Sequence, residues 1–191
     1  SMSKKCLEFE KKFSEVQGRK ECILFNSGGS ANLALMQSYK NLGKLNPKDT
    51  VGFSALTWST NVMPIIQMGL TPVPIDCDPK TLNVMSYTLA ERLKEVNLKA
   101  LFITNALGLA GDLDNIKDLC DMNNILLFED NCEALSTVVS SCRTGNFGDS
   151  ATFSYYVSHH LSSIEGGSVC TDNEELAEML KIYVLFSMRE Y

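Results

Sequence analysis

Two short runs, ALFITN at 100–105 and ILLFED at 125–130, limit the possible folds more than any other feature of this 191-residue chain. ALFITN is apolar and β-branched, the pattern of a strand covered on both faces. ILLFED reads as a second buried strand, and it ends in two carboxylates, Glu129 and Asp130. Strands covered twice need helices on either side, and the rest of the chain supplies them. Residues 6–17 carry Leu7, Phe9, Phe13 and Val16 among charged positions, an amphipathic helix with Gly18 as its stop. ECILFNSGGSANLALMQSYKNLG then reads as strand, Gly-rich loop and a helix closing at Gly43.

The alternation continues with a strand at Val51–Ser54, a helix at 60–68 and a strand in TPVPID whose Pro72 and Pro74 limit its pairing. A helix is predicted over Leu89–Val96, and Asp112 is placed to cap another that runs to Met122. ATFSYY (151–156) and SVCT (168–171) are the last strands, and Asn173 precedes a helix over 174–186. Strands alternating with helices over short connections predict an α/β fold, a mostly parallel sheet layered by helices in one domain. Ligands of such sheets bind beyond the carboxyl ends of the strands. The SGGS loop, the acidic pair and the histidines after ATFSYY all follow strand ends, so topology allows them to converge.

Composition narrows the partners. A net charge of -6 argues against generic nucleic-acid or anionic-lipid binding, although backbone amides can hold a phosphate without net positive charge. No stretch approaches the length of a membrane span, and the polar start SMSKKCLEFEKK is not a signal peptide. Ser1-Met2 reads as a remnant of tag removal before a native methionine. Seven cysteines without a CxxC pair, and two adjacent histidines, predict reduced cytosolic thiols and no metal site.

Each motif has a structural and a chemical reading. Gly28, Gly29 and Ser30 precede a helix, either as a tight turn or as an anion cradle of free amides. They match neither a Walker loop nor a GxGxxG fingerprint. Trp58, the only tryptophan, is a core residue or a stacking platform. A buried Asp130 must pair with something cationic, an ordinary side chain or a protonated heterocycle. Glu133 lies three residues on. His159 and His160 either make structural hydrogen bonds or move protons near neutral pH. GNFGDS and EGG are turns, with Gly148 and Gly166 predicted at positive φ.

In order, SGGSAN, ALTWSTN, DPKTLN, EDNCEA, GNFGD and SYYVSHHLSSIEGG resemble the sugar aminotransferases of the DegT/DnrJ/EryC1/StrS family over roughly residues 7–186. The resemblance implies the three-layer aspartate-aminotransferase fold (fold type I) and a pyridoxal 5'-phosphate or pyridoxamine 5'-phosphate cofactor. It places Gly28, Gly29, Ser30 and Ser154 at the phosphate and Trp58 over the ring. Asp130 matches the partner of the ring nitrogen, and Glu133 a position near the ring hydroxyl. His159 matches the lysine that normally forms the Schiff base, so the cofactor is expected to be held non-covalently.

That exchange is similar to the branch of nucleotide-sugar 3-dehydrases, which implies a nucleotide-linked 4-keto-6-deoxyhexose substrate, deoxysugar biosynthesis such as that of lipopolysaccharide O-antigen, His159 as catalytic base and acid, and a cytoplasmic homodimer. His160 is then a positioning residue. Two positions depart from the branch: Gly29, where a serine is common, and Asn105, where relatives commonly carry histidine. The resemblance also implies that residues 1–191 form the large domain, with the family's C-terminal small domain not in this sequence. A sugar aminotransferase with an unusual base, and a non-catalytic cofactor-binding or oligomerisation module, are the alternatives.

Overall fold

Each run read as a strand lies in a single sheet of the computed structural model, which describes residues 4–187. Helix α1 (Lys4–Gln17) stops at Gly18, whose φ of 81° suits glycine. Strand β1 (Glu21–Phe25) leads into α2 (Gly28–Asn41), β2 (Thr50–Ser54) into α3 (Ser59–Gln67), and β3 (Thr71–Ile75) into α4 (Ser86–Leu93). Strand β4 (Ala100–Thr104) precedes a 3-10 turn at Ala106–Gly108 and α5 (Leu113–Met122). After β5 (Leu126–Asp130) come a small hairpin, β6 (Val138–Val139) and β7 (Cys142–Arg143), then β8 (Ser150–Ser154), β9 (Gly167–Thr171) and α6 (Glu174–Ser187). The hairpin was not expected; Ser140 and Ser141, at φ 48° and 68°, make its turn.

The sheet order is β1-β9-β8-β5-β4-β2-β3, and β9 alone runs against the others. The proline-bearing β3 is an edge strand, as a strand short of N–H donors must be. Alternation along β4 sends Ala100 and Phe102 to one face, where α2, α3 and α6 pack, and Leu101 and Ile103 to the other, against α4 and α5. Helix α1 covers the second face at the far end of the sheet, where Phe9 and Phe13 pack against Tyr155 and Phe13 against Phe153. These are three layers of an α/β fold.

Three local expectations need correction. Helix α4 starts three residues earlier than predicted, because Thr88 Oγ1 accepts from Met85 N and the Asp112 carboxylate accepts from Ser86 N. Asp112 therefore serves α4, although it sits at the N-cap position of α5, where its side chain makes no cap bond. Gly166 is at positive φ (148°), but in the GNFG turn it is Gly145 (87°), not Gly148, that takes this conformation. Gly148 is needed for space, since a Cβ there would lie 2.4 Å from the Leu127 carbonyl oxygen.

That turn is held between opposite charges. Glu129, fully buried, accepts from Gly145 N (2.7 Å), Phe147 N (2.8 Å) and Gly148 N (2.8 Å). On the turn's other side Arg19 donates to the carbonyls of Gly145 (2.8 Å) and Gly148 (2.6 Å) and pairs with Asp172 (2.8 Å). Burial pushes the Glu129 carboxyl up, and the N–H groups of Gly145, Gly148 and Phe147 with the Arg19 charge oppose that. Glu129→Gln turns an amide donor towards these N–H groups; a loss of about 3 kcal/mol is expected, read as a thermal midpoint about 6–12 °C lower. An unchanged midpoint would contradict this role.

Burial would raise the Asp172 carboxyl too, but there the Lys20 N–H and the Arg19 guanidinium prevail and hold it below the ordinary aspartate range. A carboxyl lowered on folding stabilises the fold above its unfolded value, and that stabilisation is lost as pH falls through the folded value. Asp172→Asn should therefore lose less stability than the unaltered protein between pH 5 and pH 2 in urea titrations; parallel curves would contradict the pairing.

Candidate active site

The two carboxylates that close β5 part company because neighbouring strand residues point to opposite faces. Glu129 turns to the GNFG loop, and Asp130, 5% exposed, turns to the face shared by α2 and α3. There Asp130 Oδ2 accepts from Asn61 Nδ2 (2.7 Å) and Asn32 Nδ2 (3.2 Å), and Oδ1 accepts from Cys132 N (2.9 Å). A carboxylate carries about four acceptor directions. Three are filled by this chain's N–H groups, and the fourth partner is the Cys132 thiol, a weak donor that a stronger one would displace.

An anion cradle adjoins it. Ser27 caps α2, its Oγ accepting from Ser30 N (3.1 Å), so the Ser30 amide is spent while those of Gly28 and Gly29 begin the helix. A Cβ on Gly28 would lie 2.7 Å from Ser154 Cβ and 3.2 Å from Cys132 Sγ, which puts the end of β8 and the loop after β5 against the helix start. A Cβ on Gly29 would approach Thr60 Cγ2 at 3.3 Å, so α3 begins beside the same turn. The Ser154 hydroxyl accepts weakly from Tyr156 N (3.3 Å), leaving its proton to donate. Gly167 admits the Ser27–Gly28 peptide, 2.4 Å from where its Cβ would be.

Trp58 sits at the N-cap of α3 and is 72% exposed, so the core reading of the single tryptophan is overturned. The hydroxyl of its neighbour Thr57 bonds that of Thr104 (2.5 Å), tying this loop to the end of β4. Glu133 accepts from Leu107 N (2.8 Å) in the 3-10 turn, where Leu107 is at φ 57°. Asn105 donates to Asn131 Oδ1 (2.8 Å), behind Glu129. His159 follows β8 in a turn closed by its own N–H on Tyr156 O (2.9 Å), with its ring edge-on to Tyr156 at 6.0 Å; His160 is exposed.

The contacts thus join Gly28, Gly29, Ser30, Asp130 and Ser154 into one cluster, with Trp58 two residues before Thr60, which borders it, and His159 five residues after Ser154. Glu133 is held by Leu107 N at the 3-10 turn, and its charge acts on the Cys132 thiol that borders the cluster. Asn32, Asn61 and Cys132 were missed in the sequence, although SGGSAN, WSTN and EDNCEA contain them. Free amides for an anion beside a carboxylate whose fourth partner is only a weak thiol donor suit a phosphorylated molecule with a protonated nitrogen.

The whole chain, residues 1–191, matches the model of the DegT/DnrJ/EryC1/StrS aminotransferase family. It is 35% identical over 182 residues to the GDP-4-keto-6-deoxy-D-mannose 3-dehydratase of Yersinia pseudotuberculosis, covering 94% of this chain and 46% of that enzyme. The lipopolysaccharide biosynthesis protein RfbH of Salmonella typhimurium is 36% identical over 179 residues, 92% of this chain and 41% of that protein. A solved structure of the E. coli GDP-4-keto-6-deoxy-D-mannose 3-dehydratase with bound hydrated PLP superposes with a TM-score of 0.89 at 32% identity, over 95% of this chain and 47% of the other. The chain spans about half the length of the relatives it matches. It belongs to the DegT/DnrJ/EryC1/StrS aminotransferase family.

Proposed function

We propose that this chain is the large, cofactor-holding domain of a pyridoxal- or pyridoxamine-phosphate-dependent 3-dehydratase acting on a nucleotide-linked 4-keto-6-deoxyhexose. What carries the proposal is a histidine, His159, in the turn after β8, at the position that the resemblance matches to the family's lysine. Two features support the cofactor's fit: the glycine cradle, which a Cβ would fill, and an Asp130 carboxylate whose last partner is a weakly donating thiol. The dehydratase names of the similar proteins favour a GDP-linked hexose, and RfbH a place in lipopolysaccharide synthesis. A cytoplasmic homodimer is part of the same proposal; among the described residues no helix is long and apolar enough to cross a membrane.

In this reading the amides of Gly28 and Gly29, with the hydroxyls of Ser30 and Ser154, bind the phosphate, aided by the α2 dipole. The Trp58 indole covers one face of the ring, and Asp130 holds a proton on its nitrogen. Glu133 is assigned to the neighbourhood of the ring hydroxyl. When bound, the cationic ring supplies a sink for electrons released at the adjacent carbon. His159 takes a proton there on a ring nitrogen of its neutral imidazole and returns it to the departing C3 hydroxyl oxygen. Imidazole can do this without capturing the cofactor covalently, as a lysine amine does. His160 is assigned to positioning.

Borohydride tests the assignment. After incubation with pyridoxal phosphate and reduction, intact-mass and peptide spectra should show no label at residue 159 of the unaltered protein. His159→Lys should carry about one label per chain at that residue. A His159→Lys protein that binds the cofactor without being labelled there would contradict the proposed seat.

A further inference from the structure

The buried amides around Asp130 are poorly explained as packing. Asn32 and Asn61 are each 1% exposed, and in both the amide oxygen finds no hydrogen-bond partner. A buried acceptor left unpaired costs stability, so apolar side chains would serve a purely structural core better. Their nitrogens, by contrast, both reach the carboxylate. Asn61 gives one bond, of 2.7 Å, to Asp130 Oδ2; Asn32 gives two, to the same oxygen and to the Thr60 carbonyl at 3.1 Å. Reversing either amide would turn oxygen against carboxylate, so chemistry fixes the orientation.

The Thr60 carbonyl is available because of Pro64. Proline inside a helix has no N–H, and the carbonyl four residues earlier loses its intrahelical donor. In α3 that carbonyl belongs to Thr60, and Asn32 of α2 takes it. A helix defect and a buried amide thus lock α2 to α3 and direct both asparagines at one carboxylate oxygen. With Cys132 N on Oδ1, rotation of the Asp130 carboxylate is blocked. The remaining partner is the Cys132 thiol, hydrogen-bonded to the carboxylate and only a weak donor, so a protonated ring nitrogen would displace it.

We propose that Asn61 and Asn32 are positioning residues that fix the Asp130 carboxylate for a protonated ring nitrogen, and so set the affinity of the site for the cofactor's ring rather than for its phosphate. This inference rests on the cofactor reading above. It extends that reading to two residues and to the proline that frees Thr60.

The test is a double-mutant cycle on the full chain, reading pyridoxamine phosphate dissociation constants by absorbance and fluorescence titration, with circular dichroism as the check of folding. Asn61→Leu should weaken binding about tenfold, equivalent to about 1.4 kcal/mol, and Asp130→Ala at least as much. In the Asp130→Ala background Asn61→Leu should cost almost nothing further, since its target is gone. A 1-deaza analogue, which lacks the ring nitrogen, should bind Asn61→Leu and the unaltered protein alike. Asn32→Ala should behave in the same way, and it decides the matter should Asn61→Leu fail to fold. Additive losses, or equal weakening for the deaza analogue, would reduce the asparagines to packing and overturn the proposal while leaving the cofactor reading intact. Absence of binding by the unaltered protein would overturn both.

Discussion

A carboxylate at the inner end of a central strand dominates this structure. Asp130 is buried at the meeting of β5, α2 and α3, and a charge there persists only if donors surround it. The donors come from three elements: Asn32 from α2, Asn61 from α3 and the Cys132 amide from the loop after β5. The layering, the register of β5 against β4 and β8, and the proline in α3 all bear on whether these groups meet. With a thiol as its last partner, the acid is left able to exchange a weak donor for a stronger one.

The same strand shows how a fold sorts two identical chemistries. Glu129 and Asp130 are adjacent in sequence, yet one is absorbed by the architecture and the other is presented at an edge. Glu129 spends its acceptors on the GNFG turn, whose carbonyls Arg19 holds from the opposite side. The turn in turn leads into β8, which carries Ser154 to the α2 N-terminus and His159 just beyond. A structural carboxylate thus helps set the path of the strand that delivers the candidate catalytic residue.

Much of this was legible in the sequence. Uniformly apolar runs identified strands covered on both faces, because no polar residue marks a wet side in ALFI or LLF. Gly18 and Gly166 were readable from the backbone conformations only glycine adopts easily. Gly148 was misread, because close approach to a carbonyl, unlike a left-handed turn, leaves no local signal. Trp58 could not be assigned to core or surface from one residue; its place at the exposed start of α3 depends on packing. Asn32 and Asn61 were invisible as a pair, since two residues 29 positions apart come together only when their helices pack on one face. The interlocking of Pro64, Thr60 and Asn32 is likewise a tertiary fact.

The most direct measurement is a crystal structure of the protein with pyridoxamine phosphate bound. The account predicts the phosphate at the Gly28–Ser30 helix start beside Ser154, the ring nitrogen within hydrogen-bond distance of Asp130, and the His159 imidazole facing the carbon that bears the amine. A phosphate bound elsewhere, or a ring whose nitrogen meets no contact with Asp130, would contradict it.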